Sequence, residues 1–298
     1  MKTVHSDQLI YVFSRTAASV LTVNPGEDVL FETRDARGGR AMSLSEDYSP
    51  LPPQPVEKTN PVTGPVFVAG ASPGDVLMVE IKSIKLGSYG YVSARPGIGV
   101  LKDKVKTPWA RAVRVSDGIV HFSEKVSFPT RPMIGTIGVA PGGLDVGTFH
   151  PGPHGGNMDC NDVVVGSILY LPVFVEGALF GLGDAHASMG DGETSGGGLD
   201  ISTDVVVRLD LVKGWALKRP LVVTPEHFVI VYNAGGLQEA VRGVVDETVD
   251  LFSKRLGLSL EEAIALVSTR GDIKICQACD GPVDVIVRLQ MPRLFNLP

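Results

Sequence analysis

At 298 residues the chain exceeds one typical compact core, so a large domain or two to three lobes are expected. Apolar residues make up 44% and charged residues 20%, which places it with ordinary globular proteins and not with disordered ones. A net charge of −6, with no Lys/Arg run, argues against a phosphate-backbone binder, so no nucleic-acid partner is expected.

The opening segment, Met1 to Arg15, lacks the apolar core and small-residue cleavage site of a secretory signal. Only three cysteines are present (Cys160, Cys276 and Cys279), which agrees with a reducing compartment; a cytoplasmic location is expected. Asn24-Pro25-Gly26 marks a turn between the apolar run Val20 to Val23 and a second run, Val29 to Thr33. Met42 to Pro65, rich in Pro, Ser and charge, reads as a long ordered loop. Val66 to Val68 and Val76 to Ile84, separated by Ser72-Pro73-Gly74-Asp75, then read as two strands. In the second, Leu77, Val79 and Ile81 share one face.

Pro132 to Val139 is apolar and leads into a polar segment, Pro141 to Asp162. Val163 to Leu182 is long enough to mimic a membrane span, with Glu176 as its only charge. Pro172 and Glu176-Gly177 interrupt it, and it is rich in Val, Ile, Phe and Tyr. Two buried strands joined as a hairpin at Glu176-Gly177 are therefore expected, with no membrane association. A second glycine-rich polar segment, Gly181 to Asp200, precedes an alternating strand from Val205 to Val212. Towards the C-terminus, Leu237 to Leu256 has helical spacing and ends at Gly257. Ser259 and Glu262 form a capping-box pattern before a second helix, and Val283 to Leu289 alternates as a final strand. The expected fold is mainly β, sandwich- or barrel-like, with a smaller α+β unit at the C-terminus. Residues 1–214 would form the β body, as one body or two interleaved lobes, and residues 215–298 the α+β unit.

The candidate chemistry falls in two segments flanking Val163 to Leu182. One runs from Pro153 to Asp159 and holds His154, Asn157 and Asp159; the other runs from Gly183 to Glu193 and holds Asp184, His186 and Glu193. A hairpin would bring Asp159 and Asp184 side by side. Imidazole and carboxylate together suit zinc or a similar first-row ion, and extra oxygens suit a second, harder ion such as calcium. One such segment alone would be read as solvated turn chemistry; two that bracket the same apolar stretch make a shared site an even match for that reading.

Other patterns carry less. Cys160, next to Asp159, is better read as a small packed residue than as a nucleophile, which would need a base or positive neighbour. Cys276-Gln277-Ala278-Cys279 has CxxC spacing, but with one further cysteine it cannot make a four-cysteine zinc site, and two core thiols are expected. Gly181 to His186 is not followed by the helix a dinucleotide fingerprint needs. His186 to Gly190 lacks the first glycine of a nucleophile elbow. His5, His121, His150 and His227 have no acidic cluster near them in sequence.

Taken together, HGGNMD (His154 to Asp159) and GALFGLGDAHASMGDGE (Gly177 to Glu193) resemble the signature of the acetamidase/formamidase family. NPVTGPVFVAGASPGDVL (Asn60 to Leu77), ETRDA (Glu32 to Ala36) and the segment at Gln277 share the resemblance, which extends over nearly the whole chain. It implies hydrolysis of the C–N bond of formamide, acetamide or a close relative to the acid and ammonia. It also implies a β-rich fold, a divalent-metal centre with zinc as the first expectation and calcium as an optional addition, and a dimer-based homo-oligomer. The family's motif positions fall on Asp35, His154, Asp159, Asp184 and His186 as metal ligands. From residue type, Glu193 is the expected general base and Asn157 a donor to the developing oxyanion; a second-ion ligand and a structural amide are the competing roles. Some family members carry Gln at the position of Met189, which bears on substrate choice, and Glu at that of Asp200. The rival functions are a metal- or ligand-binding β protein without turnover, and a metal hydrolase of another amide or a lactam.

Overall fold

The computed structural model describes residues 1–39, 55, 58–278 and 284–297. Among these, nineteen strands join one curled, largely antiparallel sheet, two more form a small separate ladder, and two helices lie near the C-terminus. The fold is thus mainly β with a small helical unit, as the residue patterns imply.

The longest strand, Val76–Ala94, organises the sheet. Its first half pairs with Ile168–Pro172 along one edge, and Asp200–Val212 follows the other edge over its length. Its last third turns away to pair with Trp109–Ser116. Alternation dictates the packing: Leu77, Val79 and Ile81 are buried, as are Val205, Val207 and Leu209 on the neighbouring strand, with Val207 opposite Ile81 and Leu209 opposite Val79, while Glu80 and Arg208 face outward. These residues enter one large aliphatic core with Phe31, Ile134, Leu171 and Phe180. The runs Val62–Val68 and Val76–Ala94 belong to different ladders: the first pairs with Phe180–His186, Leu9–Ile10 and, in parallel, Leu21–Val23. Val62 to Pro65, expected to end a loop, lies inside that first strand. The rest of the expected loop falls mostly outside the described residues.

The expected hairpin between Val163 and Leu182 is absent. Ile168–Pro172 pairs with Val76–Ala94 and Leu221–Val223, whereas Phe180–His186 pairs with Met133–Gly138 and Val62–Val68. The cause is local. Gly177, Ala178 and Leu179 all have left-handed φ values, of 72°, 57° and 56°. That run carries the chain away from the first ladder instead of doubling it back. It is pinned outside by Gly177 N–H to Ala71 O (2.9 Å) and Val68 N–H to Gly177 O (2.9 Å). A Cβ at residue 177 would enter the Phe67 ring, so glycine is needed there.

At the C-terminus, Leu237–Leu256 (α1) ends at Gly257 in the left-handed conformation (φ 68°), and Leu260–Arg270 (α2) starts from the full Ser259–Glu262 capping box. The antiparallel strands His227–Ala234 and Val285–Pro292 face α1. A second apolar core joins Ala240, Val244, Val249 and Phe252 of α1 to Phe228, Leu289 and Met291. Phe252, Phe228 and Phe295 close it as an aromatic trio with centroids 4.6–6.1 Å apart. Among the described residues no helix is long and apolar enough to cross a membrane. Truncating the fully buried Phe252 to alanine should cost about 3–5 kcal/mol. Urea unfolding should show the midpoint moved down; a change below about 1 kcal/mol would mean that α1 does not depend on this core.

Candidate active site

The two polar segments do converge, through an intermediary strand. Met133–Gly138 pairs antiparallel on one side with Gly155–Asn157, Thr136 opposite Asn157, and on the other with Phe180–His186, Thr136 opposite Gly183 and Met133 opposite His186. His186 is in turn registered with Asp200, the first residue of the long alternating strand. Gly135 makes the approach possible. A Cβ there would strike Asp159 Oδ1 and the backbone carbonyl of Asp184, so the space over this glycine belongs to the two carboxylates.

The result is a buried cluster of four carboxylates around one imidazole. Asp159, His186 and Glu193 bring one ligand atom each to within 4.8 Å of one another, and Asp184, His186 and Asp200 do the same. His186 Nε2 lies 3.1 Å from Asp200 Oδ1 and 3.5 Å from Asp184 Oδ1. All five residues are at least nine-tenths buried. The hydrogen bonds that orient them come largely from neutral groups. Asn60 Nδ2 donates to Asp184 Oδ2 (2.6 Å) and to Asn157 Oδ1 (3.1 Å), and Thr136 Oγ1 donates to Asn157 Oδ1 (2.6 Å). Asn157 Nδ2 donates to Asp159 Oδ2 (2.9 Å). Gln277 Nε2 bridges Asp159 Oδ2 (3.1 Å) and Glu193 Oε2 (2.7 Å).

The electrostatics follow from burial. Desolvation, then the charges of Glu193 and Asp184, raise the Asp159 carboxyl well above the carboxylate range. Desolvation also raises Asp200 and pushes Glu193 up to about 7, against the pull of His186. Burial opposes a charge on His186, but hydrogen bonds and attraction from Asp184 and Asp200 outweigh it and raise its pKa well above the ordinary value. Backbone geometry is unusual at the same place. Asn60, Asp159, Asp184 and Glu193 are four of the seven non-glycine residues with left-handed φ among those described. Each such conformation costs on the order of 1–3 kcal/mol and persists only where its surroundings hold it.

Not every expected residue joins the cluster. Asp35 is buried beside the Asp200 strand, its backbone N–H on Ser202 Oγ (3.1 Å) and its Oδ1 accepting from Arg37 N–H (2.8 Å); it is in neither ligand group. His154 is also outside both groups, its ring edge-on to Phe13 at 5.2 Å. Burial alone holds that imidazole down to about 4, so it is neutral. Asn157 has its oxygen and one N–H taken up within the cluster, the geometry of a residue that orients Asp159. Asp200, Asn60 and Thr136 are site residues that sequence reasoning did not assign. Asn60 and Gln277 lie within segments that carried the family resemblance, and Asp200 heads an alternating strand, but nothing local marks their chemistry. Cys160 is a protonated thiol: a hydrogen bond with Cys276 and then burial push it well above the ordinary value, which leaves it no nucleophile. Cys279 lies outside the described residues.

Behind the cluster, the buried Arg288 clamps three of its supporting segments. Its Nε is 2.6 Å from Asp162, its Nη2 is 2.9 Å from both oxygens of Asp191, and its Nη1 is 3.6 Å from Cys276 Sγ. Those contacts lie three residues from Asp159, two from Glu193 and one from Gln277. A planar fork suits this role better than a point charge.

The residues present also fit a divalent cation. Asp159 Oδ1, His186 Nδ1 and Gln277 Oε1 are buried without a hydrogen-bond partner, and four carboxylates about one imidazole form an oxygen-rich donor set whose negative charge a single imidazolium cannot balance.

Fold and site together define a β-rich protein whose centre is a buried carboxylate–imidazole cluster with the ligand groups for a cation. Comparison with known proteins narrows this. The model of the Acetamidase/Formamidase family matches residues 11–144 and 145–292. A predicted acetamidase/formamidase from Thermoanaerobacter tengcongensis is 36% identical, with a TM-score of 0.93 over 98% of this chain and 95% of that one. An acetamidase from Bacillus halodurans is 32% identical, with a TM-score of 0.92 over 98% and 97%. The formamidase of Methylophilus methylotrophus is 23% identical over 84% of this chain and 80% of its own. The chain belongs to the acetamidase/formamidase family, and it is an amidase.

Two outcomes test this site. Glu193 and His186 both have folded-state pKa values above their unfolded ones, so the stability they contribute is present at acid pH and lost as pH rises through the folded values. Chelator-treated protein should therefore melt at a lower temperature at pH 8 than at pH 5, and Glu193→Gln should flatten that slope; a melting temperature that rises over this range would contradict the electrostatics. Arg288→Lys keeps the charge but loses the fork. It should lower kcat about a hundredfold, the effect of roughly 1 Å of misplacement, with little change in KM. Unchanged kcat would dismiss the clamp.

Proposed function

We propose that the chain is a metal-dependent hydrolase of small linear amides of the acetamide and formamide type, releasing the carboxylic acid and ammonia. The observation that carries this reading is the buried cluster itself: Asp159, Asp184, Glu193 and Asp200 face one imidazole with unpartnered ligand atoms, a charge arrangement that a divalent cation would neutralise. The names of the similar proteins, acetamidase and formamidase, supply the substrate class. Asp159, His186 and Glu193, or Asp184, His186 and Asp200, would hold the ion, and with two groups sharing one imidazole a second ion has oxygen ligands available. Zinc suits the imidazole and calcium the oxygens. His154 and Asp35 stay as outer candidates for the same centre.

Once bound, such a cation supplies Lewis acidity, polarising an amide carbonyl and acidifying nearby water. The chain's own residues do the rest. Where Asp184, His186 and Asp200 hold the ion, Glu193 is left to take a proton from the attacking water and deliver it to the departing nitrogen, and the burial that raises its carboxyl in the cation-free cluster suits it to that exchange. Gln277 holds the Glu193 carboxylate from one side, leaving Oε1 of that group to the reaction. Asn157, itself held by Thr136, fixes Asp159, and Asn60 fixes Asp184, so that neither must reorganise as charge develops. Two described cysteines in free form support a cytoplasmic address, and the family likeness supports a dimer-based assembly.

The test is ammonia release from formamide and acetamide, with elemental analysis of the same preparation. Turnover should disappear on chelation and return with a divalent metal. His186→Ala and Asp184→Asn should each lower kcat/KM by three orders of magnitude or more, about 4 kcal/mol. Stoichiometric metal without ammonia would instead favour a binding protein that lacks turnover.

A further inference from the structure

One member of the cluster, Glu193, also lines a half-open cavity with a largely apolar wall. A cavity of about 430 Å³ reaches Glu193 and Gly198. Gly198 lies directly against the His186 ring, where an added Cβ would fall 2.9 Å from Cγ, so only the thickness of one backbone separates the chamber from the imidazole. The apolar part of its lining is Val92, Trp109, Phe122, Phe128, Met189 and Leu199, while Asp191, Thr194 and three serines line the rest. Met189 and Leu199 are buried deep in it, whereas Trp109 and Phe128 are 39% and 36% exposed at its mouth. Phe122 and Phe128 approach at 6.4 Å, and the Arg111 guanidinium lies over both Trp109 and Phe122, which holds these rings in place.

An amide has one polar head, which the Glu193 end of this chamber would take. Its size is within the roughly 300–1,000 Å³ range of pockets that enclose whole small molecules, and acetamide would present only a methyl group to the apolar side of this lining. We infer that the preferred substrate is a primary amide whose acyl group carries a hydrophobic tail, alkyl or aryl, seated between Met189, Phe122 and Phe128. This rests on the amidase reading above, because loss of ammonia from the head requires the tail to be on the acyl side. Each methylene buried in the chamber would raise kcat/KM about fourfold, the equivalent of ~0.8 kcal/mol.

The experiment measures kcat/KM for acetamide, butyramide and phenylacetamide with the metal-loaded enzyme. Butyramide should exceed acetamide about fifteenfold, from two added methylenes, and phenylacetamide should exceed it further. Phe128→Ser, at the exposed mouth, and Met189→Gln, nearly isosteric but polar, should each reduce the phenylacetamide-to-acetamide ratio at least threefold. Acetamide turnover without any gain from a longer tail overturns the inference and leaves the amidase reading standing. A gain that neither variant alters places the tail elsewhere and also overturns it. Ammonia from none of the three would bring down both.

Discussion

Four carboxylates in a dry interior repel one another, and the rest of this structure is arranged around holding them there. An isolated buried carboxylate is costly enough that it normally protonates or finds a partner. Here the available partners are one imidazole and a set of neutral amides and hydroxyls, each aimed at a particular oxygen. The cluster therefore stores electrostatic strain and backbone strain in the same residues, with Asp159, Asp184 and Glu193 all in left-handed geometry. Such concentration is expected where a site must be ready before its ligand arrives.

The sheet bears that load through one short strand. Met133–Gly138 is wholly buried, and its glycine at 135 leaves the volume that two aspartates occupy. Because both polar segments hydrogen-bond to its edges, their relative position is set by ladder register and not by loop conformation. A slip of one residue would turn Thr136 away from Asn157 and dissolve the donor network. The C-terminal unit completes the arrangement: Gln277 reaches across to Glu193, and Arg288 ties down the segments on which Asp159, Glu193 and Gln277 stand.

Much of this was legible in the residues themselves. Periodicity marked the alternation of Val205 to Val212 and both helices with their caps, because those signals are local. The two polar segments were visible as one site, yet for the wrong geometric reason. A hairpin was the simplest way to bring their ends together, and the left-handed run at Gly177 to Leu179 is a backbone state that Ala and Leu do not advertise. Asp200, Asn60 and Gln277 escaped assignment since their roles exist only after distant strands meet. His154 and Asp35, lifted by motif likeness, lie outside the two ligand groups that the fold assembles.

That dependence on distant strands has a consequence for how the enzyme comes into being. Asn60 and Gln277 are separated by most of the polypeptide, and Arg288 comes later still. Every acidic group of the centre thus precedes Gln277 and Arg288 in the chain, so the donor network can close only after the C-terminal strands have docked.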